Sequence, residues 1–299
     1  VQHGSKGIHR RVYFLSGFDP RGSSFYYRLF LEQLKAYGQR TGRPLKVSRR
    51  RGQADPLLSS WTVEERSKPL LEVVFLHWDD IVRDHWPRNP LVICRDGLQF
   101  ALWYLVGGGL LRIAMLCPSV ALCGFYPLLF FGSFAVLLVL LTLLVQSLIS
   151  TVLGAGSPLA WFVAVCVAVG LVPACWRLGD QQGVVWLFRS ILFTHHLGQS
   201  RDGELRERMR QLADRIVALE RAAPAASIEL EGHSSGSFVM TMLAAALRRH
   251  PETADLESRL SLLSLGQNFA NLGVHKGAVA FHEDLRTLAK LPRLPWRDI

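Results

Sequence analysis

The fold is decided by the stretch Ile228-Glu229-Leu230-Glu231-Gly232-His233-Ser234-Ser235-Gly236-Ser237-Phe238-Val239-Met240. It begins with a short β-prone run and ends with an apolar, helix-prone run, and a Gly-x-Ser-x-Gly pattern stands between them. Where a strand turns sharply into a helix at such a pattern, the serine is exposed at the apex and the two glycines leave room for the turn. The stretch therefore predicts that Ser234 is a nucleophile. A glycine- and serine-rich helix start is the alternative.

The residues around this pattern favour the interpretation as strand, turn and helix. From Phe238 to Leu247 the side chains are helix-forming, and three basic residues follow before Pro251. Basic residues in a last turn, with a proline just after it, are typical of a helix end. Against this, Glu229 and Glu231 fall in a strand that should be buried. We therefore expect that strand to be short or partly exposed.

The order of strand, Gly-x-Ser-x-Gly turn and helix resembles the nucleophile elbow of the α/β-hydrolase and lipase superfamily. The resemblance implies an α/β fold in which a mostly parallel sheet is flanked by helices. It also implies that Ser234 forms an acyl-enzyme. The backbone N–H of Ser235, at the first turn of the helix, would then face the oxyanion that forms during the attack.

A second oxyanion-hole donor is expected early in the chain. Arg11–Ser16 has the composition of a strand, and Gly17–Ser24 is a glycine- and proline-rich turn into a helix. Because α/β-hydrolases complete the oxyanion hole at this place, the resemblance points to the backbone N–H of Phe18. The alternative is an ordinary loop in which Gly17 supplies a positive φ.

The resemblance also suggests the other two members of a catalytic triad. Residues 260–269 form a predicted strand that ends in a glycine turn, similar to class 3 lipases, in which the acid follows on the next strand. On that resemblance Asp298 is the acid, and the histidine of the triad is expected after Ile299. Within the chain His282 is the candidate base, with His275 behind it, although both precede Asp298 and so invert the usual order.

The distribution of charge sets one region apart. The chain has 299 residues, 49% of them hydrophobic, and a net charge of +10, yet residues 113–176 contain no Asp, Glu, Lys, Arg or His. Residues 126–149 and 158–176 are each long enough to cross a bilayer core, which needs about 20 residues. We expect a transmembrane helical hairpin with its turn at 150–157. Two buried helices that cover the active site as a lid are the alternative.

Arginines on either side of the hairpin predict its orientation. Arg95 and Arg112 precede the two spans, Arg177 and Arg189 follow them, and the turn contains no Lys or Arg. The positive-inside rule then places both ends of the hairpin in the cytoplasm, together with the hydrolase domain, and the protein in an inner or plasma membrane.

These patterns divide the chain into three parts. We expect the first half of a hydrolase domain at 1–96 and its second half, with the elbow, at 194–299. The membrane-associated insertion then occupies 97–193, and its first residues, 97–111, are apolar but interrupted by glycines, which favours an interfacial helix or bend.

The segment His77–Trp86 is the densest polar and aromatic cluster in the chain, with two histidines, three aspartates and two tryptophans. Its spacing matches no metal-ligand template, so we predict no metal site there. The favoured interpretation is a helix N-terminus capped by Asp79 or Asp80, with the tryptophans at the membrane interface. A supporting role beside Ser234 is the alternative.

Together these features predict a membrane-anchored serine hydrolase that cleaves an ester or thioester of a lipid-like substrate, with membrane lipids as partners and no cofactor. Nucleic acid is not an expected partner, because the basic residues lie beside membrane segments and no nucleic-acid-binding motif is present. Two alternatives fit the same features: a non-catalytic membrane scaffold or binding protein that retains the hydrolase fold, and an acyltransferase that uses the same elbow.

Overall fold

The computed structural model describes residues 9–52, 55–154, 157–290 and 294–299. The chain divides into two compact units, one made of Val1–Trp86 with Thr194–Ile299 and one made of Pro87–Phe193. The first unit contains the β-sheet, and the second contains the long apolar helices.

The described strands form one eight-stranded sheet in the order β2-β4-β5-β1-β6-β7-β8, with β3 paired to β4. The pairs from β5 through β1, β6 and β7 to β8 are parallel, whereas β4 pairs antiparallel with β5, β2 and β3. The chain is therefore an α/β protein, as predicted, with a mixed sheet where a mostly parallel one was expected. The strands are β1 Arg10–Leu15, β2 Leu45–Val47, β3 Arg51–Gly52, β4 Leu58–Glu65, β5 Lys68–Leu76, β6 Ser227–His233, β7 Leu260–Leu265 and β8 Trp296–Asp298.

Strand β4 was not predicted, and its turn explains why. Arg66 and Ser67 connect β4 to β5, and their φ angles are 50° and 64°. A two-residue hairpin turn with two positive φ angles normally uses Asn or Gly, which are the residues that mark a hairpin in a sequence. Arg-Ser carries no such signal, so the antiparallel part of the sheet was missed.

The helices of the chain include α2, which begins inside the polar cluster of residues 77–86. The residue preceding α2 is Trp78, and Asp79 and Asp80 are its first two helical residues, so neither aspartate is the N-cap that was predicted. Both still lie in the first turn, where a negative charge interacts favourably with the helix dipole. The helices are α1 Gly22–Thr41, α2 Asp79–Asp84, α3 Pro90–Ala101, α4 Gly109–Leu116, α5 Pro118–Leu153, α6 Pro158–Gln181, α7 Val184–Leu197, α8 Gly203–Ala222, α9 Gly236–Arg249, α10 Ala254–Glu257, α11 Phe269–Gly273 and α12 Val279–Ala289, with a π-helical turn at Leu102–Val106.

Helix α8 packs on one face of the sheet through a buried polar network. Arg11 on β1, with 1% of its surface exposed, donates to Glu220 on α8 at 2.6 Å and to Glu72 on β5 at 2.7 Å. The hydroxyl of Tyr13 donates to Glu220 at 2.8 Å. A buried guanidinium is tolerated because its donors are paired with carboxylates.

Helix α1 covers the opposite face over β4 and β5. Trp61, Val73 and Phe75 form a buried cluster on this face, because alternate residues of neighbouring strands point to the same side. Aromatic residues of α1 pack on the cluster, and the ring centroids of Tyr27 and Trp61 are 5.4 Å apart.

The second unit contains two helices that are long and apolar enough to cross a membrane, Pro118–Leu153 and Pro158–Gln181. Phe131 on the first and Trp176 on the second have ring centroids 6.2 Å apart, so the two helices pack on each other. Of the turn predicted between them, Ala155 and Gly156 lie outside the described residues. Two further helical segments precede the two long helices. The first, Leu91–Val106, consists of α3 with the π-helical turn, and it meets α4 at a bend of 65°. An interfacial helix or bend was predicted in this part of the chain.

Candidate serine nucleophile site

Ser234 lies between the end of β6 and the start of α9, and its backbone is left-handed, with φ of +53°. Its N–H donates to the carbonyl of Leu265 at 2.8 Å, at the end of β7. Its carbonyl accepts from the N–H of Ser237 at 2.9 Å and from the Ser237 hydroxyl at 2.6 Å. Because a non-glycine residue rarely adopts this φ, the hydrogen bonds on both sides of Ser234 are what hold the strained turn in place.

A positive φ does not by itself distinguish Ser234. Among the described residues Arg66, Ser67 and Ser200 share it. Arg66 and Ser67 form a hairpin turn, and Ser200 follows α7, whereas Ser234 joins a parallel strand to a helix. This is the carboxyl edge of the sheet, where α/β proteins bind their ligands.

The two glycines of the elbow have no room for a side chain. A Cβ on Gly232 would lie 2.5 Å from the carbonyl oxygen of Gly236. A Cβ on Gly236 would lie 2.4 Å from the carbonyl oxygen of Leu15 and 2.6 Å from that of Ser16. Such distances require the backbone to move, so both glycines are needed for the close approach that the turn demands.

The loop after β1 reaches the same point. A Cβ on Gly17 would lie 3.3 Å from the Cβ of Ser234 and 3.2 Å from the carbonyl oxygen of His233. Phe18, the predicted source of the second oxyanion-hole donor, is the next residue, and its fully buried ring stacks on Trp86 with centroids 5.4 Å apart. The structure thus brings the loop that contains Phe18 beside the predicted nucleophile.

Ser235, the other predicted donor, is fully buried and immediately precedes α9. Its hydroxyl accepts a hydrogen bond from the side-chain amide of Asn268 at 3.3 Å. The N-terminus of a 14-residue helix carries a partial positive charge, so negative charge that develops on a substrate at Ser234 would be stabilised there.

The structure does not join the predicted acid and base to Ser234. Asp298 lies on the exposed strand β8, where one of its oxygens accepts from the Ser264 hydroxyl at 2.8 Å. His282 lies on α12, and its Nε2 hydrogen-bonds the carbonyl of Gly273 at 2.7 Å. Among the described residues, no side chain forms a hydrogen bond with the hydroxyl of Ser234.

His275, the other histidine considered as a base, is buried against His195, with ring centroids 5.0 Å apart. Burial, together with the neighbouring imidazole of His195, lowers the pKa of His275 to about 4. The ring is therefore neutral at physiological pH. Its position also depends on Gly198, where a Cβ would lie 2.3 Å from the ring.

A Ser-His-Asp chain that sequence reasoning missed lies elsewhere in the same unit. The Ser59 hydroxyl is 2.9 Å from Nε2 of His77, and Nδ1 of His77 is 2.8 Å from a carboxylate oxygen of Asp79. Burial opposes ionisation of Asp79, but hydrogen bonds from His77 and Arg83 outweigh it and lower the pKa of the carboxyl group. The only possible signal was His-x-Asp at the end of β5, because Ser59 lies on the strand that was not predicted.

The two glutamates of β6 have different surroundings. Glu229 is buried, and its carboxylate pairs with Arg10 at 2.8 Å and with Arg297 at 2.9 Å. Glu231 lies between Phe14 of β1 and Leu263 of β7 in the strand register. Burial and the nearby Glu229 raise the pKa of Glu231 to about 7. The charge of the buried Glu229 is therefore paired, and only at Glu231 does burial oppose the charged form.

Among the described residues, no group of three or more His, Cys, Asp or Glu side chains is arranged so that it could hold a metal ion. No protein-family model, curated protein or solved structure matches this chain.

Proposed function

We propose that this protein is a membrane-anchored serine hydrolase in which Ser234 is the nucleophile. The observation that carries the proposal is the left-handed backbone of Ser234 between β6 and α9, with Gly232 and Gly236 packed too closely for any side chain. In this geometry Ser234 is partly exposed and lies next to the N-terminus of α9.

The chemistry suited to this site is acyl transfer. Oγ of Ser234 bonds to the carbonyl carbon of an ester or thioester while a general base takes its proton. The bond from that carbon to the leaving oxygen or sulfur then breaks, and the base returns the proton to the departing alcohol or thiol as the acyl-enzyme forms. Water then attacks the acyl-enzyme and releases a carboxylic acid. The N–H groups of Ser235 and Phe18 would stabilise the oxyanion in both steps.

Lipid-like substrates fit the rest of the chain. Helices α5 and α6 are long and apolar enough to span a bilayer, and an enzyme anchored there encounters acyl chains at high local concentration. The arginines on both sides of the hairpin favour a cytoplasmic position for the hydrolase unit. Trypsin added to sealed inside-out vesicles should then cleave at the exposed Arg49–Arg51, and the same site should resist trypsin added to intact cells.

A non-catalytic scaffold or binding protein is the second candidate. It is favoured by one observation, that no described imidazole forms a hydrogen bond with Ser234. Acyl transfer to an acceptor other than water would use the elbow in the same way as hydrolysis, so it is a variant of the first proposal.

The proposal is tested by labelling the protein in membranes with a fluorophosphonate, which reacts covalently with activated serines. We expect the wild type to be labelled and Ser234→Ala to remain unlabelled. Ser67→Ala is a matched control, because Ser67 is also a serine with positive φ but lies in a hairpin turn. No labelling of folded wild-type protein would favour the scaffold.

A further inference from the structure

The polar cluster of residues 77–86 contacts the loop between β1 and α1 at several points. We propose that this segment, the clamp, positions the loop of residues 16–21 against Ser234 and thereby sets the oxyanion hole. The inference rests on the proposed function, and it assigns positioning roles to Trp78 and Arg83.

Three contacts hold the loop along its length. The indole N–H of the fully buried Trp78 donates to the carbonyl of Ser16 at 3.1 Å. The ring of Trp86 stacks on Phe18 at an interplanar angle of 12°. Arg83 donates to the carbonyl of Pro20 at 3.0 Å. Alternate residues of the loop are therefore contacted by the clamp.

The clamp also holds the start of α1, where the loop ends. Gly22 has φ of +67°, and a Cβ there would lie 2.8 Å from a carboxylate oxygen of Asp79. The other oxygen of Asp79 binds His77, which binds Ser59, and the Ser23 hydroxyl donates to Ser59 at 3.4 Å. The Ser-His-Asp chain thus connects the clamp to the second residue of α1.

The clamp is itself anchored to α8. Arg208 donates to both carboxylate oxygens of Asp80, at 2.7 and 2.6 Å, and to the backbone carbonyl of His77 at 2.9 Å. A bidentate guanidinium–carboxylate pair fixes orientation as well as distance. The segment that holds the loop is therefore tied to the sheet and to a neighbouring helix.

Movement of the loop would be transmitted to the elbow. The Ser16 carbonyl that accepts from Trp78 is the same group that approaches Gly236, and Gly17 lies against Ser234. Since the loop packs this closely, a shift of the Ser16 carbonyl changes where the N–H of Phe18 lies relative to the nucleophile. Loss of a donor from its correct position weakens binding of the transition state more than binding of the substrate.

The test is Trp78→Phe in the full chain, with Trp61→Phe as its matched control. Both indoles are buried, but Trp61 makes no hydrogen bond to any described residue. With p-nitrophenyl butyrate as the probe we expect kcat of Trp78→Phe to fall about 10- to 100-fold with little change in KM, because small misplacements at a reacting centre have effects of this size. Trp61→Phe should retain wild-type kcat.

A second variant tests the clamp without replacing a buried side chain. Arg83→Gln removes two contacts of the clamp, the hydrogen bond to Pro20 and the ion pair with Asp79. Because the Arg83 side chain is 49% exposed, the fold should persist. Arg210→Gln, which breaks an exposed ion pair with Glu207, is its control. We expect a lower kcat for Arg83→Gln only. Amide hydrogen exchange of peptides that cover residues 16–24 should also be faster in Trp78→Phe and Arg83→Gln than in their controls.

The outcomes separate the two proposals. Faster exchange and lower kcat in both clamp variants support the clamp. Unchanged exchange and kcat in an active, Ser234-dependent enzyme would overturn the clamp and leave the nucleophile in place. If the wild type has no Ser234-dependent activity, the proposed function fails, and the positioning role fails with it even if the exchange changes.

Discussion

Two serines in the same unit differ in backbone geometry and in their hydrogen-bonded partners. Ser234 has the strained backbone, the glycine-lined turn and the helix N-terminus, but no described side chain hydrogen-bonds its hydroxyl. Ser59 has a complete hydrogen-bonded chain to His77 and Asp79, but it lies in a regular strand, is 3% exposed and lies beside Ser23 of α1.

Under the proposed function, hydrogen-bonded partners alone do not identify the nucleophile. A reacting hydroxyl must meet a substrate carbonyl and an oxyanion hole, and both requirements depend on where the backbone places it. The chain through Ser59 satisfies buried polar groups and ties α1 to α2, which is a structural role. We therefore expect substitution of Ser234 to abolish the reaction and substitution of Ser59 to lower the stability of the fold.

The largest effect is expected for Ser234→Ala. If Ser234 is the nucleophile, its loss should lower kcat for p-nitrophenyl butyrate by at least about 10³-fold, as in serine enzymes, with little change in melting temperature. Steady-state kinetics and thermal melting in detergent measure both. A variant that retains more than a tenth of wild-type activity would show that the reaction occurs elsewhere.

Gly236→Ala should affect folding and activity together. The new Cβ would meet the carbonyl oxygen of Leu15 at 2.4 Å, and such overpacking typically costs about 1–3 kcal/mol of stability. Gly203→Ala is the control, because a Cβ there contacts nothing within 4 Å. Equal melting temperatures for the two variants would mean that the backbone around Gly236 has room for a side chain.

Ser59→Ala should affect stability alone. The change leaves Nε2 of His77 without its serine partner in a partly buried site, a loss typically worth about 1–3 kcal/mol. Urea denaturation measures the change. Because Ser59 bonds Ser23 of α1 and His77, whereas Trp78, Arg83 and Trp86 contact the loop of residues 16–21, kcat should stay within about threefold of the wild type. A fall in kcat with unchanged stability would contradict a purely structural role for Ser59.

Glu231→Gln is expected to change only the pH dependence of stability. Because the pKa of Glu231 is about 7 in the folded chain and 4.5 for an ordinary glutamate, the folded protein binds this proton more tightly. The free energy of unfolding should therefore fall as pH rises from about 4.5 to about 7 and then level off.

The measurement is the melting temperature at pH 5 and pH 8. Glu231→Gln should reduce the difference between the two values and raise the value at pH 8. Glu283→Gln, which changes an exposed glutamate paired with Arg286, should leave the difference unchanged. An unchanged difference in Glu231→Gln would mean that Glu231 is ionised in the folded protein.

Much of the α/β unit could be predicted because its signals are local. The β6 strand, the elbow glycines and α9 follow one another in the chain, and strand composition located β1 and β5. The two long helices of the second unit were predicted from hydrophobicity, which needs no knowledge of tertiary contacts.

The missed features depend on contacts distant in sequence. Ser59 meets His77 only because β4 folds back on β5 through an Arg66-Ser67 turn that resembles no common hairpin signal. Pairing of Glu229 with arginines from β1 and β8 likewise requires the sheet order. The sequence of one strand does not show which residues of the neighbouring strands its side chains will contact.

The most direct test of the account identifies which serine reacts. Wild-type protein in membranes is treated with a fluorophosphonate and digested, and the modified peptide is sequenced by mass spectrometry. We predict that the label is found on Ser234 and not on Ser59. A label on Ser59, or a folded protein without any label, would contradict it.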